Sequence, residues 1–459
     1  NEDFGYYHLP NSIQFAQQKL QFGIGNLNHG FKHISSLFMI MSLSYLPFFD
    51  HYLFNVTNFL FLVFFVLFII KEILLTKNTN LNLSNFILSL TLVLFLTKFS
   101  RLAEYGSDLA AQIIIFLLFF YIVEYFFNEK IQTKKQNYLK ISIILIIFAI
   151  TLKFISVIYI FIFFPFFILI NKRADVIKNL FRVEFIVIIS LSLLIFIFLN
   201  FSSTGCLIYP VEKLCFGSYF DWALSTDVVK YLNFHYEVWS KGGLGPGFSV
   251  ENQEQYIKNF NWIPNWINVY FIGKFSDYLL VTISIIIIFF FFFYKELFFH
   301  RKKKYNNNTN YLFFYISLII VFLLWFFNFP TLRYSGYTVV YLILILPFSI
   351  YASNRIDFSN KTNLKKISII FLISYSIFMY KNISRISNEL KLSVANHHNF
   401  KSFPFYWVKN QKFDKIKIDN HELYLTNGKC WSVPSTCVRD ISSIHISKKN
   451  NYIFYSKKK

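Results

Sequence analysis

Unbroken apolar runs constrain this chain more than any other feature. Four of them, over 52–70, 185–201, 279–293 and 311–327, are close to or beyond the length needed to cross a bilayer. A helix rising 1.5 Å per residue needs about 20 residues for that. Alternating barrel strands do not produce unbroken runs. Only 15% of the chain is charged while 55% is hydrophobic, too little polar surface for a soluble domain of 459 residues. The expected class is an all-α polytopic membrane protein.

The charge is +21. Lys and Arg concentrate in short loops between apolar runs, as in Arg301-Lys302-Lys303-Lys304. That is the positive-inside pattern of cytoplasmic loops, and it argues against nucleic acid as a partner. The basic loops are 71–84, 128–140, 171–184, 295–310 and 353–366. An even number of crossings must separate each consecutive pair. Spans are therefore expected at 52–70, 85–98, 109–127, 183–200, 277–294, 311–328, 337–352 and 367–381. The apolar stretch 141–170 has basic loops at both ends, so it must hold two short spans that meet near Lys153. This parity gives ten crossings. It puts 1–51, 201–276 and 382–459 outside, together with the joints at 100–108, Lys153 and 329–336. The stretch 31–48 reads as a helix lying along the outer interface.

Cys206 and Cys215 fall in the large outer loop, Cys430 and Cys437 in the tail. Two close pairs on one side predict two local disulfides in an oxidising compartment. Tyr-rich alternating stretches in the tail, such as Glu422 to Leu425, predict a small periplasmic C-terminal domain containing β structure. Four units follow: a membrane module over 1–200, a large loop over 201–276, further membrane helices over 277–381, and the tail domain over 382–459.

Candidate chemistry collects on the outer side. Glu2, Asp3, Tyr7 and His8 open the chain. Asp108 follows Glu104 in the joint 100–108, Lys153 marks the next, and Arg333 and Tyr334 occupy the joint 329–336. A carboxylate can act as general base on an acceptor hydroxyl. Cations neutralise a phosphate leaving group. A second carboxylate can orient the acceptor or hold a divalent ion. Each residue also has a plainer role: Asp108 can cap the helix that begins beside it, Lys153 can snorkel to headgroups, and Arg333 can anchor at the interface.

With Asp3 in Asn1-Glu2-Asp3-Phe4-Gly5-Tyr6-Tyr7-His8 and Asp108 one outer loop later, the chain resembles the GT-C superfamily of membrane glycosyltransferases. Gly23-Ile24-Gly25-Asn26-Leu27-Asn28-His29-Gly30 resembles an uncharacterised bacterial branch. So do the segment from Thr204 to Pro210 and that from Cys430 to Cys437. The resemblance covers about residues 1–205 and implies a GT-C-like helical bundle with one further helix upstream of Asn1. It implies sugar transfer with inversion from a polyprenyl-phosphate donor at the periplasmic face of a bacterial inner membrane, in cell-envelope glycan assembly. The expected partners are membrane lipid, that donor, and a glycan, lipid or protein acceptor. Asp3 would be the catalytic base with Asp108 assisting, and Arg333, Lys153 and His8 would face the donor phosphate. Cofactors are not specified, and a divalent cation stays open because members differ. Alternative readings are an O-antigen polymerase or ligase, for which the loop 201–275 lacks arginine, and a lipid-linked-glycan flippase or transporter, for which mid-membrane charge is scarce.

Overall fold

A computed structural model describes residues 3–75, 83–99, 106–127, 132–169, 182–245, 247–299, 308–356, 360–391, 411–418 and 421–458. The apolar runs form the membrane-type helices α3 (Val56–Leu75), α4 (Leu83–Thr97), α5 (Ser107–Phe127), α6 (Gln132–Leu152), α7 (Phe164–Leu169), α8 (Val183–Thr204), α10 (Ser276–Phe292), α11 (Asn308–Asn328), α12 (Tyr337–Ser353) and α13 (Lys361–Lys391). Before them lie α1 (Leu9–Gln17) and α2 (Ser36–Ser42), and α9 (Thr226–Ser240) stands between α8 and α10. Among the described residues eight helices are long and apolar enough to cross a membrane; Leu83–Thr97 and Phe154–Phe166 are shorter apolar helices.

Each short helix has a physical reason. α4 is buried at every position from Leu83 to Phe95. A helix surrounded by protein need not match the thickness of lipid. The break expected at Lys153 is present: the residue adopts an extended conformation (φ −152°, ψ 109°), and a 3-10 helix over Phe154–Phe163 leads into α7.

Contacts sort the helix ends into two sets. Lys98 pairs with Asp277, Lys381 donates to the Thr97 carbonyl at 2.6 Å, and Lys153 pairs with Asp108. At the other end Lys366 pairs with Glu296 at 2.6 Å, and the Tyr351 hydroxyl donates to the Leu297 carbonyl at 3.2 Å. The joints that parity assigned to one side thus meet one another.

One expectation needs correction. The stretch 31–48 is not a continuous helix. A 3-10 turn over His29–Lys32 precedes the seven-residue α2, which Ser35 caps by accepting from the Leu37 N–H. The chain then bends, with left-handed backbone at Phe48 (φ 74°) and Asp50 (φ 46°). Two serines explain the break: Ser35 donates to the Leu152 carbonyl at 2.7 Å and Ser36 meets Thr151 at 3.0 Å, so α2 is tied across the end of α6.

The C-terminal region is a small β structure, as its alternation suggested. Strands β1 (Asp414–Ile418), β2 (His421–Leu425) and β3 (Cys437–Val438) form one sheet, with β2–β3 parallel; β4 (Ile444–Lys449) and β5 (Tyr452–Lys457) form an antiparallel hairpin. Cys206–Cys215 and Cys430–Cys437 are bonded.

This region packs on the chain's first 31 residues. Ile24, Leu27 and Phe31 share a core with Leu423, Val438, Ile444 and Tyr455. Phe22 exchanges backbone hydrogen bonds with Ile453 and Tyr455 at 2.9 Å each. Gly5 lies against the Trp431 ring, where any Cβ would overlap it, and the Trp431 N–H donates to the Gly5 carbonyl at 2.9 Å.

The end assignment is testable. Single cysteines at Lys98→Cys and Glu296→Cys should react with impermeant thiol reagents from opposite faces of oriented membranes. Labelling of both from the same face contradicts the fold.

Candidate functional site

The charged cluster is assembled from four separate places, each fixed by local structure. Asp3 immediately precedes the short π-helix Phe4–His8 that leads into α1. Asp108 sits in the first turn of α5, where a carboxylate also interacts favourably with the helix dipole. Lys153 is the extended residue between α6 and the 3-10 helix. Arg333 lies on the tight loop Leu332–Gly336 before α12, which passes through left-handed backbone at Ser335 (φ 70°). The Tyr159 hydroxyl locks that loop by donating to the Ser335 carbonyl at 2.6 Å.

Arg333 is the hub. Its Nη2 donates to Asp3 Oδ2 at 2.8 Å and to the Tyr7 hydroxyl at 3.4 Å. Its Nε faces Asp108 Oδ2 at 3.4 Å, an ion-pair distance rather than a good hydrogen bond. Lys153 Nζ pairs with Asp108 and donates to the Arg333 carbonyl at 2.9 Å. The cations and acids therefore alternate: Lys153, Asp108, Arg333, Asp3. Side-chain exposure runs from 15% at Lys153 to 34% at Arg333, so the cluster deepens from Asp3 towards Lys153.

Aromatic rings wall the cations. Lys153 Nζ lies 4.9 Å from the Tyr334 ring centroid, and the Arg333 guanidinium lies 5.9 Å from both Tyr334 and Trp239. Cation–π attraction strengthens where water is excluded. Trp239 comes from α9 in the large loop, and nothing in the local sequence marked it.

His8 borders the same charges. It is 5% exposed, and burial lowers its pKa to about 4 against the pull of Asp108 and Asp3. Burial therefore favours the neutral ring near pH 7. Its buried Nδ1 has no hydrogen-bond partner among the described residues. Burial likewise raises the Tyr7 pKa above its ordinary value, so its hydroxyl keeps its proton.

Sequence reading named Asp3, Tyr7, His8, Asp108, Lys153, Arg333 and Tyr334, and the fold brings all seven together. Glu2 and Glu104 lie outside the described residues. Among the described residues no group of three or more His, Cys, Asp or Glu could hold a metal ion. Both acids are instead neutralised by Arg333 and Lys153, which leaves the carboxylate-bound divalent ion without support here. Trp239 was missed, and Trp431 was noted only within the Cys430–Cys437 motif, not for its place against Gly5. His29 and Tyr209 were noted only within motifs, and their grouping with His33 and Tyr236 was missed, although the spacing His29-x-x-x-His33 was an available signal.

These features define the class: a multi-pass helical membrane protein with a β-containing C-terminal region and a charged cluster at one end of its bundle. Residues 2–341 match the family described as a domain of unknown function (DUF8201), and the chain belongs to that family. No curated protein and no solved structure matches it. The matched residues include every member of the charged cluster but not Trp431 or its disulfide.

Two outcomes follow from this geometry. Asp108→Ala leaves Lys153 and Arg333 facing each other without their shared anion. Breaking a fully buried pair from one side costs about 3–5 kcal/mol, and this part-buried pair should lose less. Melting followed by intrinsic fluorescence should show a marked loss for Asp108→Ala and substantial recovery in Asp108→Leu with Lys153→Met. A single variant as stable as wild type contradicts a structural pair. The second outcome concerns pH. His8 stays neutral in the fold down to about 4, while an unfolded histidine takes up a proton near 6.5. The unfolded state then binds more protons between those values, so stability is full above pH 6.5 and declines as pH falls towards 4. His8→Gln should flatten that part of the melting-temperature profile, and an unchanged slope removes His8 as a contributor.

Proposed function

We propose that this protein is a GT-C-type glycosyltransferase, moving a sugar from a polyprenyl-phosphate donor to an acceptor hydroxyl at the periplasmic face of a bacterial inner membrane. The observation that carries the reading is the bridging of Asp3 and Asp108 by Arg333 at the end of an apolar bundle. A lipid-linked phosphate reaches such a site along the membrane while its sugar lies in water.

In this mechanism the acceptor oxygen attacks the anomeric carbon from the face opposite the phosphate. The new carbon–oxygen bond forms as the bond to the phosphate oxygen breaks, and the configuration inverts. Asp3, the more exposed acid, takes the acceptor proton. Its guanidinium partner moves to the departing polyprenyl phosphate, since arginine binds carboxylate and phosphate alike through paired N–H groups. Asp108 holds Arg333 and Lys153 at the point where charge develops, a positioning role deeper than the reacting atoms. Neutral His8 offers a hydrogen bond rather than a charge.

The test uses membranes containing the full chain and a panel of radiolabelled polyprenyl-phosphate sugars. Asp3→Asn should reduce transfer by about 10²- to 10⁴-fold. Arg333→Ala should weaken donor binding while leaving acceptor binding nearly intact. Normal transfer by a folded, inserted Asp3→Asn protein rejects the catalytic assignment. Equal donor affinity in Arg333→Ala and wild type leaves Arg333 as a structural tie.

A further inference from the structure

We propose that Lys32, Arg439 and Lys457 bind an oxyanion, a carboxylate or phosphate group carried by a hydroxyl-rich acceptor. That the anion belongs to the acceptor rests on the transferase reading; the anion site itself does not. The three cations come from segments that close on one small core. Lys32 follows Phe31 and Arg439 follows Val438, both members of that core. Lys457 stands opposite Ile444, a third member, in the register of the β4–β5 hairpin. Directly opposed residues of an antiparallel pair share a face, so Lys457 lies on the face that packs against the first 31 residues.

Among the described residues no carboxylate pairs with Lys32, Arg439 or Lys457. Asp440, next to Arg439, is held by the Ser442 N–H at 2.9 Å and the Ser442 hydroxyl at 2.6 Å, and it faces Lys458. Glu422 of β2 pairs with Lys415 at 2.7 Å. Lys32 is half-buried, its stem against Gly25, where a Cβ would come within 3.3 Å of Lys32 Cγ. Burial and then Lys457 lower its pKa to about 8, so it stays charged near pH 7. A charge drawn out of water without a counter-ion is unfavourable. An oxyanion supplies both the opposite charge and strong acceptors for the cationic N–H groups.

The neighbouring groups suit a sugar. His29 is close enough to feel both Lys32 and Arg439. Its Nε2 lies 3.4 Å from His33 Nε2 and 3.1 Å from the Tyr236 hydroxyl. Burial, reinforced by these cations, keeps both rings neutral at pH 7. Neutral imidazoles and phenols exchange hydrogen bonds with hydroxyl groups. This polar strip reaches the proposed base. The Tyr6 ring is 5.8 Å from His29, the Tyr7 ring is 5.3 Å from His33, and the Tyr7 hydroxyl meets Arg333, which holds Asp3. An acidic sugar seated by its anion at Lys32 extends its hydroxyl side towards Asp3.

The test is isothermal titration of the full chain in nanodiscs of phosphatidylcholine, a lipid without net charge. The probes are a uronic acid trisaccharide, a sugar phosphate and a neutral trisaccharide. At least one charged probe should bind, more weakly as salt rises, and the neutral one should not. Lys32→Met should reduce affinity about tenfold or more, and Arg439→Gln and Lys457→Gln by less. Lys449→Gln, on the other face of the hairpin, should leave affinity unchanged. Met keeps the stem and removes the unpaired charge, so ligand-free Lys32→Met should melt at or above the wild-type temperature. A lower melting temperature makes Lys32 a structural residue and overturns the site, as does wild-type affinity in that variant. Equal binding of the neutral probe also overturns it. If neither charged sugar binds, and Lys32 instead recognises phosphatidylglycerol in discs that contain it, the anion is a lipid headgroup and the acceptor assignment falls. Normal transfer by Asp3→Asn removes the transferase reading and leaves the binding result intact.

Discussion

An ionised Asp108 in the first turn of an apolar helix is the requirement on which the rest depends. Taking a carboxylate out of water costs several kcal/mol unless cations and hydrogen bonds replace the solvent. Lys153 and Arg333 supply that replacement from two other joints. Lys153 would itself be a costly charge without Asp108, while Arg333 would keep only Asp3 as its acid. The helix break at Lys153 and the left-handed turn at Ser335 are the backbone consequences. They aim two cations from different parts of the chain at one acid.

Asp3 joins this group from a segment that could not hold position alone. Phe4 to His8 is a single short helical stretch. Its placement comes from the C-terminal region, through Trp431 against Gly5 and through the core shared by Phe31 and Tyr455. The Cys430–Cys437 bond closes the loop that carries Trp431. The last part of the chain therefore sets the first, across more than 400 residues, and the acid proposed as base depends on a tail outside the matched family segment.

Helix α9 ties the large loop to both polar clusters. Tyr236 and Trp239 are three residues apart, so they share a helix face. Tyr236 meets His29 and His33, while Trp239 covers Arg333. Tyr7 spans the gap, its ring 5.3 Å from His33 and its hydroxyl on Arg333. A shift of α9 would disturb both clusters together.

Much of this architecture was legible in the sequence because its causes are local. Apolar runs set the helices, basic loops set their alternation, and two basic loops around 141–170 required the break at Lys153. The paired cysteines and the alternating Tyr-rich stretches were equally readable. Asp3, Asp108, Lys153 and Arg333 stood out as polar residues at helix joints, where a charge without a purpose is costly. Sequence spacing could not say that 31–48 would break, because the serines that tie α2 to α6 act on the Leu152 carbonyl and the Thr151 hydroxyl, more than 100 residues away. Nor could it say that His8 would be neutral, since that follows from burial. Trp239 on Arg333, Trp431 on Gly5 and Tyr236 on two histidines leave no periodic trace, because each contact joins segments far apart in the chain. The sequence by itself determined a multi-pass helical protein with basic loops at one set of helix ends and acids mixed with cations at the other. Only the tertiary structure decided that those charges neutralise one another around Arg333, because pairing is settled by which helix ends meet and how much water they exclude.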